Sequence, residues 1–408
     1  MAAMLPQIAL PPEHCLASCF NPEFDFLLAC CRGAEVSPLR VNWQRVAELA
    51  QDHGVIPRVY EKLCGKIPNA GLAPLRTRYD ANVRKAMILT SELLRIYDEF
   101  RRRGIDVLPY KGLALARQLY GDVAARQFSD LDLLVRRADV PRATAVLARL
   151  GYERALKLSN RQEAAYLRSG YEYTFDGALG QNVVELKWAA APRFYAIDID
   201  IDRFFERAVE VEVAGKRLKT LCPEDALLVL CIHAARHQWS ELSWLCDLSR
   251  MQQVCELDWN SVRERATRLC ISRIVATTLL LAHDLLGSPV PEIVPEDSIA
   301  QLLCKDLSGK IAFRNEHDPE SLSYFRTMLQ VRERWQDRAR FVTRLLLTPG
   351  LGEWNAVRLP DFAFGIYPLV RISRLIRRVS GKKISHKKVG QPGAPRGCPA
   401  PSRLEGFY

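Results

Sequence analysis

The segment KGLALARQLYGDVAARQFSDLDLLV, residues 111–135, decides the fold because it joins a helical pattern to a β pattern across a turn. Apolar residues recur at helical spacing from Leu113 to Tyr120, and Gly121 then predicts a turn. From Asp130 to Val135 acidic and apolar residues alternate before the strand becomes fully apolar, which predicts a β-strand. The segment therefore predicts a helix followed by a strand.

The neighbouring segments extend this unit in both directions. Ile105 to Pro109 is a short β-branched and apolar run that predicts a strand before the helix. Val140 to Leu150 has helical spacing, and Tyr171 to Trp188 predicts two strands joined at Gly177 to Gln181. The order strand, helix, strand, helix, strand, strand predicts a small mixed-sheet α/β unit.

Helical patterns flank this unit on both sides. The first runs from Phe24 to about Arg103, where Gly104 is a predicted helix stop, and the second from Pro223 to Arg378. The predicted class is therefore α+β. We divide the chain into an N-terminal helical region (1–103), the α/β core (104–222), a C-terminal helical domain (223–380) and a disordered basic tail (381–408).

Composition indicates the general class of protein but says little about its function. At 408 residues and 48% hydrophobic content, the chain can bury more than one compact core. The formal net charge of +11 favours phosphate-bearing or acidic ligands, although part of the excess lies in the tail. The twelve cysteines contain no CxxC pair, and no leader or membrane-spanning run is apparent. We therefore expect a cytoplasmic protein without a membrane span.

Three acidic residues form the candidate catalytic group. Successive strand residues point to opposite faces, so Asp130 and Asp132 share one face. Two adjacent carboxylates favour a bound cation, and hard oxygen ligands suit Mg²⁺. Glu185, on a strand predicted to pair near the first, supplies a third ligand for a two-ion Mg²⁺ site, with Mn²⁺ as an alternative. This group predicts in-line displacement at a nucleotide α-phosphate, and replacing both aspartates with asparagine is expected to leave the fold nearly unchanged.

A candidate phosphate site precedes the carboxylates. Lys111 and Gly112 stand where a strand turns into a helix, and such a helix start offers backbone N–H groups and a favourable dipole to a triphosphate. Gly112 would allow close approach of the ligand. Arg126 lies four residues before Asp130, and its guanidinium can bind phosphate through two hydrogen bonds.

These residues resemble the uncharacterised bacterial nucleotidyltransferase family, a branch of the polymerase-β-like superfamily. The resemblance includes the segment 111–135, the motif VVELKW at 183–188 and the segment 221–251, and it extends over roughly residues 25 to 378. It implies a minimal nucleotidyltransferase fold, metal-dependent transfer of a nucleotide and frequent occurrence near natural-product or polysaccharide gene clusters. The family's carboxylates fall on Asp130, Asp132 and Glu185.

The chain departs from the family pattern at two positions. Leu113 follows Gly112, where the superfamily usually has a serine or glycine, so a phosphate-binding hydroxyl is missing and Lys111 would replace it. Lys187 stands where relatives tend to have histidine, on the same strand face as Glu185. A permanent cation at Lys187 could bind phosphate or compete with a metal.

A second polar group lies in the C-terminal helical domain. His233 and His237 are four residues apart and so share a helix face, and Asp247 follows on the next helical stretch. The spacing is compatible with a zinc site, but a polar cluster that packs the helices or touches substrate is the stronger interpretation.

The leading functional hypothesis is an enzyme that transfers a nucleotidyl group from a nucleoside triphosphate and releases pyrophosphate. A small-molecule, sugar or peptide acceptor is favoured over a nucleic acid, because no recognisable nucleic-acid module accompanies the core. The first alternative is a non-catalytic nucleotide-binding or scaffold protein of a biosynthetic cluster, which Lys187 and the missing hydroxyl support. The second alternative is an RNA-modifying nucleotidyltransferase. The oligomeric state is not predicted.

Overall fold

The computed structural model describes residues 21–35, 41–313, 321–349, 353, 357 and 359–379. Helices surround a small mixed sheet, which confirms the predicted α+β class. The polymerase-β-like identity of the core and the division into four regions stay predictions, and the tail at 381–408 lies outside the described residues.

The predicted strands and helices of the core occur in the predicted order. The strands are β1 (Val107–Pro109), β2 (Leu131–Val135), β3 (Glu153–Arg154), β4 (Glu172–Gly177), β5 (Gly180–Lys187), β6 (Val209–Val213) and β7 (Lys216–Thr220). The helices are α1 (Pro22–Arg32), α2 (Trp43–Asp52), α3 (Ile56–Leu63), α4 (Asn69–Arg102), α5 (Gly112–Tyr120), α6 (Val140–Arg149), α7 (Asn160–Ser169), α8 (Asp202–Glu206), α9 (Pro223–Arg236), α10 (Leu242–Val254), α11 (Trp259–Arg268), α12 (Ser272–Leu286), α13 (Ser298–Phe313), α14 (Leu322–Gln330), α15 (Trp335–Leu347) and α16 (Tyr367–Val379). In the core, β3, α7, β6 and β7 are additional elements.

The main sheet has five strands in the order β1-β2-β5-β4-β3. Strand β2 pairs antiparallel with β1 and parallel with β5, while β5 pairs antiparallel with β4. The predicted mixed sheet is therefore confirmed. The parallel β2–β5 pair is central, so side chains from two distant parts of the sequence meet in the middle of the sheet.

One face of the sheet is apolar. Leu131 and Leu133 on β2, and Val184 and Leu186 on β5, are nearly fully buried on this face. They belong to a core shared with α6 and with the C-terminal half of α4, which contributes Leu93 and Phe100. Burial of this face stabilises the sheet and forces the alternate residues of β2 and β5 onto the opposite face.

Helix α4 immediately precedes the first strand of the sheet. It ends at Arg102, and Gly104 has a φ of +62°, a left-handed conformation that costs glycine little. The predicted helix stop at Gly104 is therefore confirmed. The chain then enters β1 at the edge of the sheet.

The N-terminal and C-terminal helices share a second core. Phe24 of α1, Ile56 of α3, Leu227 of α9 and Leu245 of α10 lie in one buried cluster. Leu134 belongs to the same cluster, and it lies on the side of β2 opposite to Leu131 and Leu133. The helical flanks therefore pack over the second face of the sheet.

The hairpin of β6 and β7 joins the sheet to α9. The Thr220 hydroxyl at the end of β7 donates a hydrogen bond to the carbonyl oxygen of Pro109 at 2.7 Å. This contact fixes the start of α9 next to the end of β1. Among the described helices, none combines the length and the apolar character needed to cross a bilayer.

Candidate active site

Two of the predicted catalytic carboxylates lie directly opposite each other. In the parallel pairing of β2 and β5, Asp132 is the Cα partner of Glu185. Asp130 immediately precedes β2, and the pKa of its carboxyl is raised to about 6, first by burial and then by the charge of Asp132. The structure therefore brings Asp130, Asp132 and Glu185 within electrostatic reach of one another, as the sequence predicts.

The Lys187 ammonium lies within this carboxylate group. Its Nζ is 3.4 Å from Oδ1 of Asp132 and forms ion pairs with Glu185 and with Glu172. Lys187 and Glu172 are both 3% exposed, and they are Cα partners in the pairing of β4 and β5. Lys187 is thus a buried cation held by three carboxylates.

The pKa values follow from this charge distribution. Burial acts most strongly on Asp132 and would raise its pKa, but Lys111 and Lys187 outweigh burial and lower it to about 2. Burial also raises the pKa of Glu185, to about 8, because the opposing effect of Lys187 is offset by the neighbouring carboxylates. Asp132 is therefore a fixed anion, whereas Glu185 can take up a proton near neutral pH.

Lys111 and Gly112 form the predicted turn from strand to helix. The Nζ of Lys111 lies 3.3 Å from Oδ1 of Asp132, and Lys111 is the residue that precedes α5. Gly112 has a φ of +46°, and an added Cβ would come within 3.5 Å of the carbonyl oxygen of Asp130. The start of α5 thus presents its backbone N–H groups beside the carboxylates, and glycine is the residue that adopts this turn without strain.

Arg126 points to a different partner from the one expected. Its Nε donates to Oδ2 of Asp247 at 2.8 Å, and the hydroxyl of Tyr120 donates to Oδ1 of the same carboxylate at 2.9 Å. Asp247 is 1% exposed, so this network connects the core to α10 in a buried environment. The arrangement favours a structural role for Arg126, and its predicted phosphate contact stays a prediction.

The two histidines lie together near the end of α9. The rings of His233 and His237 are 4.6 Å apart between centroids, and both contact the indole of Trp244. Asp247 is bound to Arg126 and Tyr120 instead of these imidazoles. No group of three or more His, Cys, Asp or Glu side chains in the described part of the chain is arranged to hold a metal ion.

Glu172 is the member of the charged group that sequence reasoning missed. The segment Tyr171 to Phe175 alternates polar and aromatic residues, which places Glu172 and Thr174 on one strand face. In the β4–β5 register Thr174 is opposite Glu185 and Glu172 is opposite Lys187. The alternation is visible in the sequence, but only the register shows that Glu172 and Thr174 lie on the same face as Glu185 and Lys187.

A mixed sheet with paired carboxylates beside a lysine-glycine helix start defines a site suited to phosphate chemistry. The profile of a family described as uncharacterised nucleotidyltransferase matches residues 40–287, more than half of the 408-residue chain. The chain belongs to this family, which indicates nucleotidyl transfer as its general chemistry. Searches of curated proteins and of solved structures gave no match.

Proposed function

We propose that this chain is a Mg²⁺-dependent nucleotidyltransferase that transfers a nucleotidyl group from a nucleoside triphosphate to a small-molecule, sugar or peptide acceptor and releases pyrophosphate. The observation that carries the proposal is the position of Asp132 opposite Glu185, next to Asp130 and the start of α5. Family membership supports the reaction class.

The carboxylates fit a divalent cation in charge and ligand type, but among the described residues they are arranged around the Lys187 ammonium, which Mg²⁺ would have to displace from Asp132 and Glu185. Four carboxylates, from Asp130, Asp132, Glu172 and Glu185, face the two ammonium groups of Lys111 and Lys187. Burial is the main cause of the raised pKa values of Asp130 and Glu185, neighbouring carboxylates add to it, and a bound cation would oppose both effects.

In the proposed site Asp130, Asp132 and Glu185 would hold Mg²⁺, and Lys187 would keep its ion pair with Glu172. Bound Mg²⁺ supplies charge compensation at the α-phosphate and at the leaving pyrophosphate. Lys111 and the backbone N–H groups at the start of α5 bind the phosphates.

The proposed transfer assigns proton movement to Glu185. An acceptor hydroxyl or amine attacks the α-phosphorus, the bond between this phosphorus and the bridging oxygen breaks, and pyrophosphate leaves with the bonding electrons. We assign the acceptor proton to Glu185, the carboxylate that lies opposite Asp132 in the pairing of β2 and β5.

The test uses the full chain, each of the four common nucleoside triphosphates, Mg²⁺ and a small-molecule extract. We expect release of pyrophosphate with at least one nucleotide, and loss of that release in Glu185→Gln. Arg263→Gln, on the exposed surface of α11, is the control and should keep the activity. Comparing metabolites from cells with the intact chain and with Glu185→Gln would identify the nucleotidylated product.

A second candidate is a non-catalytic nucleotide-binding protein, which the ion pairs of Lys187 with Asp132 and Glu185 favour. In this case a nucleotide should raise the melting temperature of the chain, yet no extract should yield pyrophosphate. That combination of results would contradict the enzymatic proposal and support the binding protein.

A further inference from the structure

A small pocket lies between the sheet and α9, beside the carboxylate group. It has about 280 Å³ of space between protein atoms, part of it open to solvent. The polar side chains that line it are those of Tyr110, Lys111, Tyr171, Lys187, His233 and Arg236. All of these can donate hydrogen bonds, and none carries a negative charge at neutral pH.

Arg236 is the lining residue whose charge has the least compensation. Its Nε and Nη2 lie 3.3 Å and 3.1 Å from Nε2 of His237, which is a neutral acceptor when it receives these bonds. Its guanidinium also lies 5.7 Å from the centre of the Tyr171 ring. No carboxylate of the described residues is within ion-pair distance of Arg236.

Two arginines that are more deeply buried than Arg236 have their guanidinium groups bound by oxygen atoms. Arg126 is paired with Asp247, and Arg332 donates to the carbonyl oxygens of Met328 and Tyr195. Glu172 and Glu185 are the carboxylates that interact electrostatically with Arg236, and both are already paired with Lys187. Arg236 is partly buried, and an anion in the pocket would give its guanidinium the partner that the other two arginines have.

Two tyrosine hydroxyls of the pocket also lack partners. Tyr110 is 4% exposed, and neither its hydroxyl nor that of Tyr171 forms a hydrogen bond with any side chain or backbone group that the structure describes. Both hydroxyls can therefore donate a hydrogen bond to an oxygen anion in the pocket. Burial and the nearby Lys111 lower the pKa of His233 well below its ordinary value, so its imidazole is neutral.

We infer that this pocket binds an anionic group of a substrate, a phosphate or a carboxylate, through the guanidinium of Arg236 and the hydroxyls of Tyr110 and Tyr171. Part of this space is open to solvent, and we assign to it a single anionic group and not a whole nucleotide. The inference rests on the proposed function for its assignment to a substrate.

The anionic group could come from either substrate of the proposed reaction. The pocket shares Lys111 and Lys187 with the carboxylate site, so the distal phosphates of the nucleotide can reach it. An acidic group on the acceptor has the same chemistry. In either case the bidentate guanidinium of Arg236 selects substrates that carry a planar or tetrahedral oxygen anion.

Inorganic phosphate is the probe for this site in the full chain, with binding measured by calorimetry. We expect Arg236→Gln to weaken phosphate binding by about tenfold or more, the effect of losing one charge-assisted pair. Arg263→Gln, which also removes one arginine but on the exposed surface of α11, should bind phosphate as the wild type does. Phosphate binding that is unchanged in Arg236→Gln, or absent from the wild type, would overturn the inference.

Two further variants keep the test valid if Arg236→Gln does not fold. Tyr171→Phe keeps the ring beside Arg236 and removes only the hydroxyl, and Arg236→Lys keeps the charge without the planar donor group. Both variants should bind phosphate more weakly than the wild type. Wild-type affinity for phosphate in both folded variants would contradict the inference that this pocket binds an anion.

Adding ATP distinguishes the two sources of the anion. If ATP displaces phosphate from the wild type, the pocket holds a phosphate of the nucleotide. If phosphate binds equally well with ATP present, the pocket holds the acidic group of the acceptor. A chain that binds phosphate through Arg236 but neither binds nor uses any nucleotide would contradict the proposed function and leave the anion pocket supported.

Discussion

Lys187 stands opposite Glu172 in the pairing of β4 and β5, and its ammonium also reaches Asp132 and Glu185 on the two central strands. A cation in this position carries out part of the charge compensation that a metal ion would provide. A metal ion bound here would therefore compete with Lys187 for Asp132 and Glu185, while Glu172 could retain Lys187.

Replacing Lys187 with glutamine should increase affinity for Mg²⁺. Without the ammonium group, Asp132 and Glu185 have only Lys111 to offset their charge, so we expect Mg²⁺ to bind about tenfold more tightly. The measurement is calorimetric titration of Mg²⁺ into the two proteins. Lys157→Gln removes an exposed lysine and is the matched control. Equal Mg²⁺ affinity in Lys187→Gln and the wild type would show that Lys187 does not compete.

Asp130 and Asp132 should respond in opposite directions to replacement by asparagine. The sequence alone predicts that both changes leave the fold nearly unchanged, but the structure distinguishes the two carboxylates. Burial and Asp132 raise the pKa of Asp130, so Asp130→Asn should raise the free energy of unfolding by roughly 1–2 kcal/mol at neutral pH. Asp132→Asn should lower it by a similar amount, about 1–2 kcal/mol, because it removes a partner of Lys111 and Lys187.

The pH dependence of these two effects follows from the same pKa shifts. The charged form of Asp130 is disfavoured in the folded state, so the gain in Asp130→Asn should appear as pH rises from about 4 to about 6 and then stay constant. The carboxylate of Asp132 is favoured in the folded state, so the loss in Asp132→Asn should be complete above about pH 4 and vanish as pH falls through about 2. Denaturant unfolding across this pH range measures the free energy of unfolding of each variant and of the wild type. If the difference from the wild type changed with pH in the same way for both variants, the opposite pKa shifts of Asp130 and Asp132 would be contradicted.

Gly112→Ala should weaken nucleotide binding as well as stability. Gly112 has a φ of +46°, a conformation that costs alanine about 1–2 kcal/mol, and the added methyl group would contact the backbone of Asp130. Gly151, with a φ of +88° and open space around it, is the matched control at the end of α6. Both alanine variants should lose stability in thermal unfolding, but only Gly112→Ala should lose affinity for a nucleoside triphosphate. Equal nucleotide affinity in the two variants would contradict the proposal that the start of α5 binds the phosphates.

The sequence predicted those features that depend on local pattern. The alternation in β2 identified Asp130 and Asp132 as neighbours on one face, and Gly104 marked the end of α4 because a helix stop has a local signal. The parallel pairing that brings Glu185 opposite Asp132 was expected only as proximity, since register depends on packing of the whole sheet. The hairpin of β6 and β7 was not predicted, although its alternating residues carried the signal.

Polar contacts between residues that are far apart in the sequence cannot be predicted from local sequence patterns. Arg126 and Asp247 are 121 residues apart, and their ion pair exists only because the C-terminal helices pack over the second face of the sheet. The pairing of Lys187 with Glu172 likewise depends on the register of β4 with β5. For this reason local patterns predict Asp130 and Asp132 as neighbours, but they cannot predict that Arg126 pairs with Asp247.

Asp247→Asn tests whether Arg126 stabilises the fold or binds phosphate. In the wild type Asp247 accepts hydrogen bonds from Arg126 and from Tyr120, and it is 1% exposed. Removing its charge leaves a buried guanidinium without an anionic partner, so we expect a loss of about 3 kcal/mol in the free energy of unfolding. Glu264→Gln breaks the exposed ion pair with Arg268 and should change stability by less than about 1 kcal/mol.

If Arg126 binds phosphate instead, Asp247→Asn would free its guanidinium, and adding a nucleoside triphosphate would stabilise this variant more than the wild type. Thermal unfolding with and without nucleotide therefore separates the two roles, and a structural Arg126 predicts an equal or smaller nucleotide effect in Asp247→Asn.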